Sequence, residues 1–290
     1  MTDAAPLVSI PPLVSIQGVN RIYGSRKRQV HALKDIDLEI GRGERFGIVG
    51  ESGSGKSTLI RMIAGLDHPT SGSITVDGTQ VSGKKERQLA FLRTQLQFVF
   101  QDPMASLDPR MRVRDIITEP LIGIRHPDPQ GRLVELLEAV GLPVDAADRF
   151  PHQFSGGQRQ RISIARALAP NPSILIADEP VSALDVSVRA QILNLLSDLV
   201  ATMDFTLIFV SHDLSVVRHL CDRVAVLYRG ELVEVDSTEE IYSDRAEPYT
   251  KSLIAAVPSI KGALAGIDAR ELAGRVASSS TEGAANAALL

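Results

Sequence analysis

Cysteine is almost missing from this chain: 290 residues carry one, Cys221, so no intrachain disulfide can form and a reducing compartment fits. No Lys or Arg precedes Arg21, and Pro6, Pro11 and Pro12 interrupt the early apolar stretch, so no secretory signal is expected. Nor does any apolar run approach the roughly 18 residues that a membrane helix needs, so work at a membrane would be that of a separate, peripheral subunit. Charge of one sign is not in excess either. A formal net charge of −4 gives no electrostatic case for binding nucleic acid. What remains is ordinary for a globular protein, 44% hydrophobic and 23% charged, and long enough to bury a sizeable core.

The doubled PLVSI, at 6–10 and 12–16, is too short for a structural repeat; the first copy reads as a flexible arm over 1–12 and the second as an opening strand. Residues 14–30 alternate weakly around YGS, which predicts strand, turn and strand. ERFGIVG (44–50) is a short apolar run feeding a glycine loop, and STLIRMIAGL behind it spaces Leu59, Ile60, Ile63, Ala64 and Leu66 as a helix does. Strands are expected at ITV and at QLQFVF (95–100). Helical character then runs from about 113 to 152, where Leu133, Leu136, Leu137 and Val140 share a face that Gly141 and Pro143 close. SILIADEP (173–180) and TLIFVSHD (206–213) read as buried strands around a helix carrying Val188, Ile192, Leu195, Leu196 and Leu199, and RVAVLYRGELVEV as a strand pair turning at Arg229–Gly230. Unbroken apolar strands alternating with helices indicate an α/β core with a covered, largely parallel sheet.

GESGSGKST, Gly50, Glu51, Ser52, Gly53, Ser54, Gly55, Lys56, Ser57 and Thr58, fits the phosphate-loop pattern between a strand and a helix. Its glycines let backbone N–H groups converge on phosphates at a helix N-terminus, Lys56 adds a point charge, and the Ser57 hydroxyl suits Mg²⁺. The chain is therefore expected to bind a nucleoside triphosphate. Asp178 and Glu179 end a hydrophobic strand, where two carboxylates divide labour: Asp178 toward Mg²⁺ through water, Glu179 polarising the attacking water. His212 ends the next buried strand at the same sheet edge; alone it would be structural, but that position gives it the γ-phosphate and the water to hold. Gln101 offers an amide to Mg²⁺ or the water, a weak signal by itself. FSGGQRQR (154–161) opens a second glycine-rich helix start, containing Ser155, Gly156, Gly157 and Gln158.

GESGSGKST, FVFQDP, FSGGQRQR, ILIADEP, SALD and VSHD, in this order and approximate spacing, resemble the nucleotide-binding subunits of ABC transporters over roughly residues 13 to 260. The resemblance implies an ABC-type P-loop NTPase core, with a mostly parallel sheet and N-terminal antiparallel strands, over 13–101 and 171–240. It further implies an inserted helical signature subdomain over 102–170, a C-terminal extension over 241–275 and a disordered tail over 276–290. It implies ATP and Mg²⁺ as cofactors and a head-to-tail pair of cassettes in which Ser155 and Gly157 of one press on the γ-phosphate held by the other. By the same likeness Tyr23 aligns with the aromatic that stacks on adenine, a role its chemistry alone leaves open. Asp185 in SALD resembles the loop joining the two sites, and Gln101 with DPMASLDP the segment that senses the membrane partner. Phe154 stands where many members have leucine.

QDPMASLDPRMRV, HLCDRVAVLYRGELVE and EPYTKSLIAAVPSI resemble the ATPase subunits of oligopeptide and dipeptide importers. That likeness implies two transmembrane permease subunits, a second ABC ATPase (a different one or a second copy), an extracytoplasmic solute-binding protein, and a place on the cytoplasmic face of the cell membrane. Importers of nickel, sugar or other small solutes share these stretches and stay open as alternatives. The cysteine cluster of some members is absent here. A non-transport ABC ATPase would be expected to carry two such domains or a coiled-coil insertion, and a silent regulatory partner to lack one of Glu179, His212 or Ser155. The short basic runs at 26–28 and 84–85 read as solvated loops.

Overall fold

The computed structural model describes residues 11–25 and 28–256. Strands β1 (Val14–Ser25) and β2 (Arg28–Ile40) pair antiparallel, as the weak alternation predicts. Strand β3 (Arg45–Val49) runs into the glycine loop, which opens helix α1 (Lys56–Ile63). Strands β4 (Ser71–Val76) and β5 (Thr79–Gln80) complete an antiparallel sheet of order β2-β1-β4-β5. A short helix α2 (Leu92–Gln95) leads directly into β6 (Leu96–Val99).

Between β6 and the next strand the chain is helical: α3 (Pro103–Ser106), α4 (Val113–Ile124), α5 (Pro129–Ala139) and α6 (Gly156–Leu168). Leu133, Leu136, Leu137 and Val140 are buried together, and Gly141 at φ +67° ends that run. The remainder alternates: β7 (Ile174–Asp178), α7 (Val186–Thr202), β8 (Thr206–Ser211), α8 (Leu214–Leu220), β9 (Arg223–Tyr228), β10 (Glu231–Ser237), α9 (Thr238–Ile241) and α10 (Pro248–Ala256). The second sheet has the order β10-β9-β3-β8-β7-β6, parallel throughout except for the β9–β10 hairpin.

The apolar strands are unbroken because each sheet face has its own core. Ile48, Ile174, Ile176, Ile208, Val210, Ala225 and Leu227 join the core shared with α1 and the antiparallel sheet. Their neighbours Val49, Leu175, Ala177, Leu207, Phe209, Val224 and Val226 join the core with α7, α8 and the inserted helices. Layering this way brings the carboxyl ends of β3, β7 and β8 to one edge, where ligands sit in open α/β sheets.

Two local expectations need correction. Helix α1 stops at Ile63, because Gly65 at φ +67° reverses the chain and Leu66 N–H caps the Arg61 carbonyl at 2.8 Å, leaving Leu66 68% exposed. The strand foreseen over 95–100 is confined to Leu96–Val99: Gln95 closes α2, and Gln101 lies beyond the strand. Residues 1–10 of the arm expected over 1–12, residues 257–275 of the extension and the tail at 276–290 lie outside the described residues.

Phe209, fully buried in central strand β8, tests this two-sided core. Phe209→Ala should lower the unfolding free energy by about 3–5 kcal/mol in urea titrations; a loss below about 1 kcal/mol would mean the strand is not enclosed on that side.

Candidate functional site

The glycine loop is shaped by what presses on it. A Cβ on Gly50, at φ +151°, would meet the Leu227 carbonyl oxygen at 2.2 Å, and one on Gly55, at φ +112°, the Ala32 carbonyl oxygen at 2.8 Å. Only glycine fits where β2 and β9 approach the loop so closely. Gly230 N–H donates to the Ser54 carbonyl at 2.9 Å, and Lys34 N–H to the Gly230 carbonyl at 2.7 Å, so the β9–β10 turn clamps the loop to β2.

Inside the loop Lys56 is buried, and its ammonium donates to the carbonyls of Gly50 (2.6 Å) and Glu51 (2.9 Å). Burial holds the Lys56 pKa below its usual range, opposed by the charges of Glu179 and Asp178. Burial also lifts the Asp178 carboxyl above the usual aspartate range, helped by Glu179 and opposed by Lys56 and Arg61.

Glu179 follows β7 at φ +47°, a left-handed conformation that costs a non-glycine residue on the order of 1–3 kcal/mol. Its N–H donates to the Val210 carbonyl at 3.0 Å, and its carbonyl accepts from Ser182 Oγ at 3.1 Å, which hold that geometry. The side chain is thereby aimed along the sheet edge, where His212 Nδ1 lies 3.1 Å from Glu179 Oε1.

One cleft of about 970 Å³ gathers Glu51, Ser52, Gly53, Gly55, Lys56, Ser57, Thr58, Gln101, Glu179 and His212. Gly50 and Ser54 support the loop from behind, and the Ser54 hydroxyl is buried with no hydrogen-bond partner. Asp178 does not line the cleft and reaches Lys56 through its charge. Tyr23 does not line it either: Arg21 lies 4.3 Å from its ring centroid and its hydroxyl donates to Asp67, although its register partner Val30 is in the cleft wall.

Ser155, Gly156, Gly157, Gln158 and Asp185 are likewise not among the lining residues. Ser155 caps α6, its hydroxyl accepting from Gln158 N–H at 3.3 Å while Gln158 Oε1 accepts from Ser155 N–H at 3.0 Å. Gly156 and Asp185 are exposed. Gly157 is buried, and a Cβ there would meet Val188 Cγ1 at 2.4 Å, so α7 requires glycine at this point of α6. Sequence reasoning missed Val30, His31, Ala32, Arg229, Gly230 and Leu253 as cleft residues. The RG turn was legible as a turn, but its docking on a loop so distant in sequence was not.

The residues fit a nucleotide with Mg²⁺. The cradle is closed to any Cβ at Gly50 and Gly55, and Ser57 and Gln101 put oxygen donors at its mouth.

A phosphate loop between strand and helix, with a carboxylate on the neighbouring strand end, defines a P-loop nucleotide hydrolase. The family model described as ABC transporter matches residues 33–182. Oligopeptide transport ATP-binding protein AmiF of Streptococcus pneumoniae is 47% identical over 251 residues, covering 85% of this chain and 82% of that protein. OppF of Bacillus subtilis, with the same description, is 46% identical with the same coverage. Among solved structures, the ATP-binding cassette MJ0796, a dimer bound to ADP and Pi, aligns with TM-score 0.69 and 34% identity over 78% of this chain and 98% of that one. CbiO1 from Clostridium perfringens aligns with TM-score 0.73 and 28% identity over 89% and 100%. The chain belongs to the ABC transporter family, as an ATP-hydrolysing cassette.

Two variants test this geometry. Gly157→Ala should lower stability by about 1–3 kcal/mol through overpacking, and Val188→Ala in the same chain should restore most of it; no rescue would mean the two do not touch. Because the folded Asp178 pKa is raised, its stabilising contribution is intact below the unfolded value and lost as pH rises through the folded one. In magnesium-free buffer Asp178→Asn should therefore melt above the unaltered chain at neutral pH, with the gap closing toward the ordinary aspartate range. A gap that widens on acidification would contradict the raised value.

Proposed function

We propose that this chain energises uptake of oligopeptides or dipeptides through separate membrane permease subunits, as a peripheral subunit on the cytoplasmic face. The observation that carries the reading is the convergence of Lys56, Gln101, Glu179 and His212 on one cleft, with Glu179 and His212 3.1 Å apart. The peptide substrate is supported by the likeness to AmiF and OppF, both oligopeptide transport ATP-binding proteins.

With nucleotide bound, Lys56 would turn from the Gly50 and Glu51 carbonyls to the triphosphate, and Ser57 and Gln101 would hold Mg²⁺. Bound there, the ion neutralises charge developing on the phosphate oxygens. Glu179 polarises the attacking water. Its carboxylate only accepts, so His212 donates to it through Nδ1–H. From there His212 holds the γ-phosphate and keeps the water in line. Asp178 would reach the ion through its water shell, and Tyr23 would turn from Arg21 and Asp67 onto the adenine.

The cleft is half a site. Ser155, Gly156, Gly157, Gln158 and Asp185 stand outside it, and they complete the cleft of a second cassette, another copy or a different one. With Ser155 at the N-cap, the start of α6 directs its dipole at that partner's γ-phosphate. Closing the pair would move the permease through a cavity of about 490 Å³, where Leu66, Leu89, Leu92, Phe98, Phe100 and Arg166 form a mixed apolar and cationic groove. Leu66 and Phe100 are 68% and 46% exposed there, an apolar surface suited to a permease helix. An extracytoplasmic binding protein would supply the solute. In this reading residues 102–170 form the helical signature subdomain, and 13–101 with 171–240 the ATP-binding core.

Glu179→Gln should keep ATP binding while turnover falls about 10²–10⁴-fold, read by a fluorescent nucleotide and phosphate release. Hydrolysis at the normal rate in that variant would remove Glu179 from its role.

A further inference from the structure

Arg229 is a cation in the wall of the nucleotide cleft that the chemistry above leaves unused. It occupies the first position of a two-residue hairpin turn at φ +47°, with Gly230 next at +85°. Such turns favour Asn, Asp or Gly, so an arginine here carries a backbone cost. No carboxylate among the described residues lies within ion-pair distance of it, whereas Arg21, Arg45 and Arg223 each have one. Its guanidinium rests 5.1 Å from the Tyr228 ring centroid, and that ring packs on Tyr249 of α10 at 4.2 Å. Helix α10 is latched to β10 by Glu234, which accepts from Thr250 Oγ at 2.6 Å and from Glu247 N–H at 3.2 Å. One turn beyond Tyr249, Leu253 reaches the same cleft beside Glu51 and Lys56.

We propose that Arg229 contacts the triphosphate of the bound nucleotide from this wall and that α10 positions it, so that the C-terminal extension belongs to the nucleotide site. The proposal rests on the cleft being the ATP site. Lys56 comes from the loop itself, whereas Arg229 comes from a turn braced by the last described helix. Nucleotide occupancy is thereby tied to the seating of α10. A guanidinium suits this place, because its planar fork pairs with phosphate oxygens in two directions.

Titration of the full-length chain with a fluorescent ATP analogue at low and high salt tests it. Arg229→Ala should weaken binding about tenfold, the scale of one charge-assisted hydrogen bond, and flatten the salt dependence, with Arg229→Lys recovering part of both. For the helix, Leu253→Asp and Leu253→Asn differ only in charge. The aspartate should bind the analogue at least threefold more weakly than the asparagine, with the gap vanishing near 1 M salt, where the screening length is about 3 Å. Arg229→Ala within twofold of the unaltered chain, with the same salt slope, overturns the contact. Equal affinity of the two Leu253 variants at low salt overturns the place given to α10. If the unaltered chain fails to bind the analogue, the reading of the cleft falls first and the proposal with it.

Discussion

The hydrogen bond from Gly230 N–H to the Ser54 carbonyl, with its continuation from Lys34 N–H to the Gly230 carbonyl, is the constraint on which the site depends. It presses the β9–β10 turn and β2 against the phosphate loop so closely that no side chain fits at Gly50 or Gly55. Backbone N–H groups can then face a phosphate without paying to rearrange when it arrives, which is the value of a preorganised cradle. The same bracing ties the N-terminal sheet, the parallel sheet and the C-terminal hairpin into one body at the loop.

Everything else follows from the parallel sheet having two buried faces. With Ile176 and Val210 facing one core and Ala177 and Phe209 the other, β7 and β8 have no freedom to slip in register. Their ends therefore deliver Glu179 and His212 to within hydrogen-bonding reach. The left-handed backbone at Glu179 is affordable because the bonds to Val210 and Ser182 over-determine it. On the outer side, Gly157 lets α6 sit against Val188 of α7, and this packing presents Ser155 and Gly156 away from the chain's own nucleotide. In the proposed function this second glycine-rich loop, which does not line the chain's own cleft, serves the nucleotide of a partner cassette.

Much of this was legible in the sequence, because the signals were local. The loop between ERFGIVG and STLIRMI, the apolar runs before Asp178 and His212, and the RG turn each have a short-range cause, and the structure places them as read. Leu66 was misread because helical spacing carries past a glycine stop, while the chain does not. The Glu179–His212 pairing, the clamp on Ser54 and the approach of Leu253 to the cleft depend on strand order. Order in a sheet leaves no trace in the spacing of residues along the chain. Tyr23 shows the same limit: its neighbour across the strand pair lines the cleft while its own ring packs under Arg21.

The central claim is that this cassette works as half of a shared ATPase seated on membrane subunits. Native mass spectrometry of the chain captured from gently solubilised membranes tests it most directly. The account predicts an assembly holding two cassettes and two integral membrane proteins. Recovery of the cassette with ribosomal or DNA-associated proteins, and no membrane subunit, would contradict it.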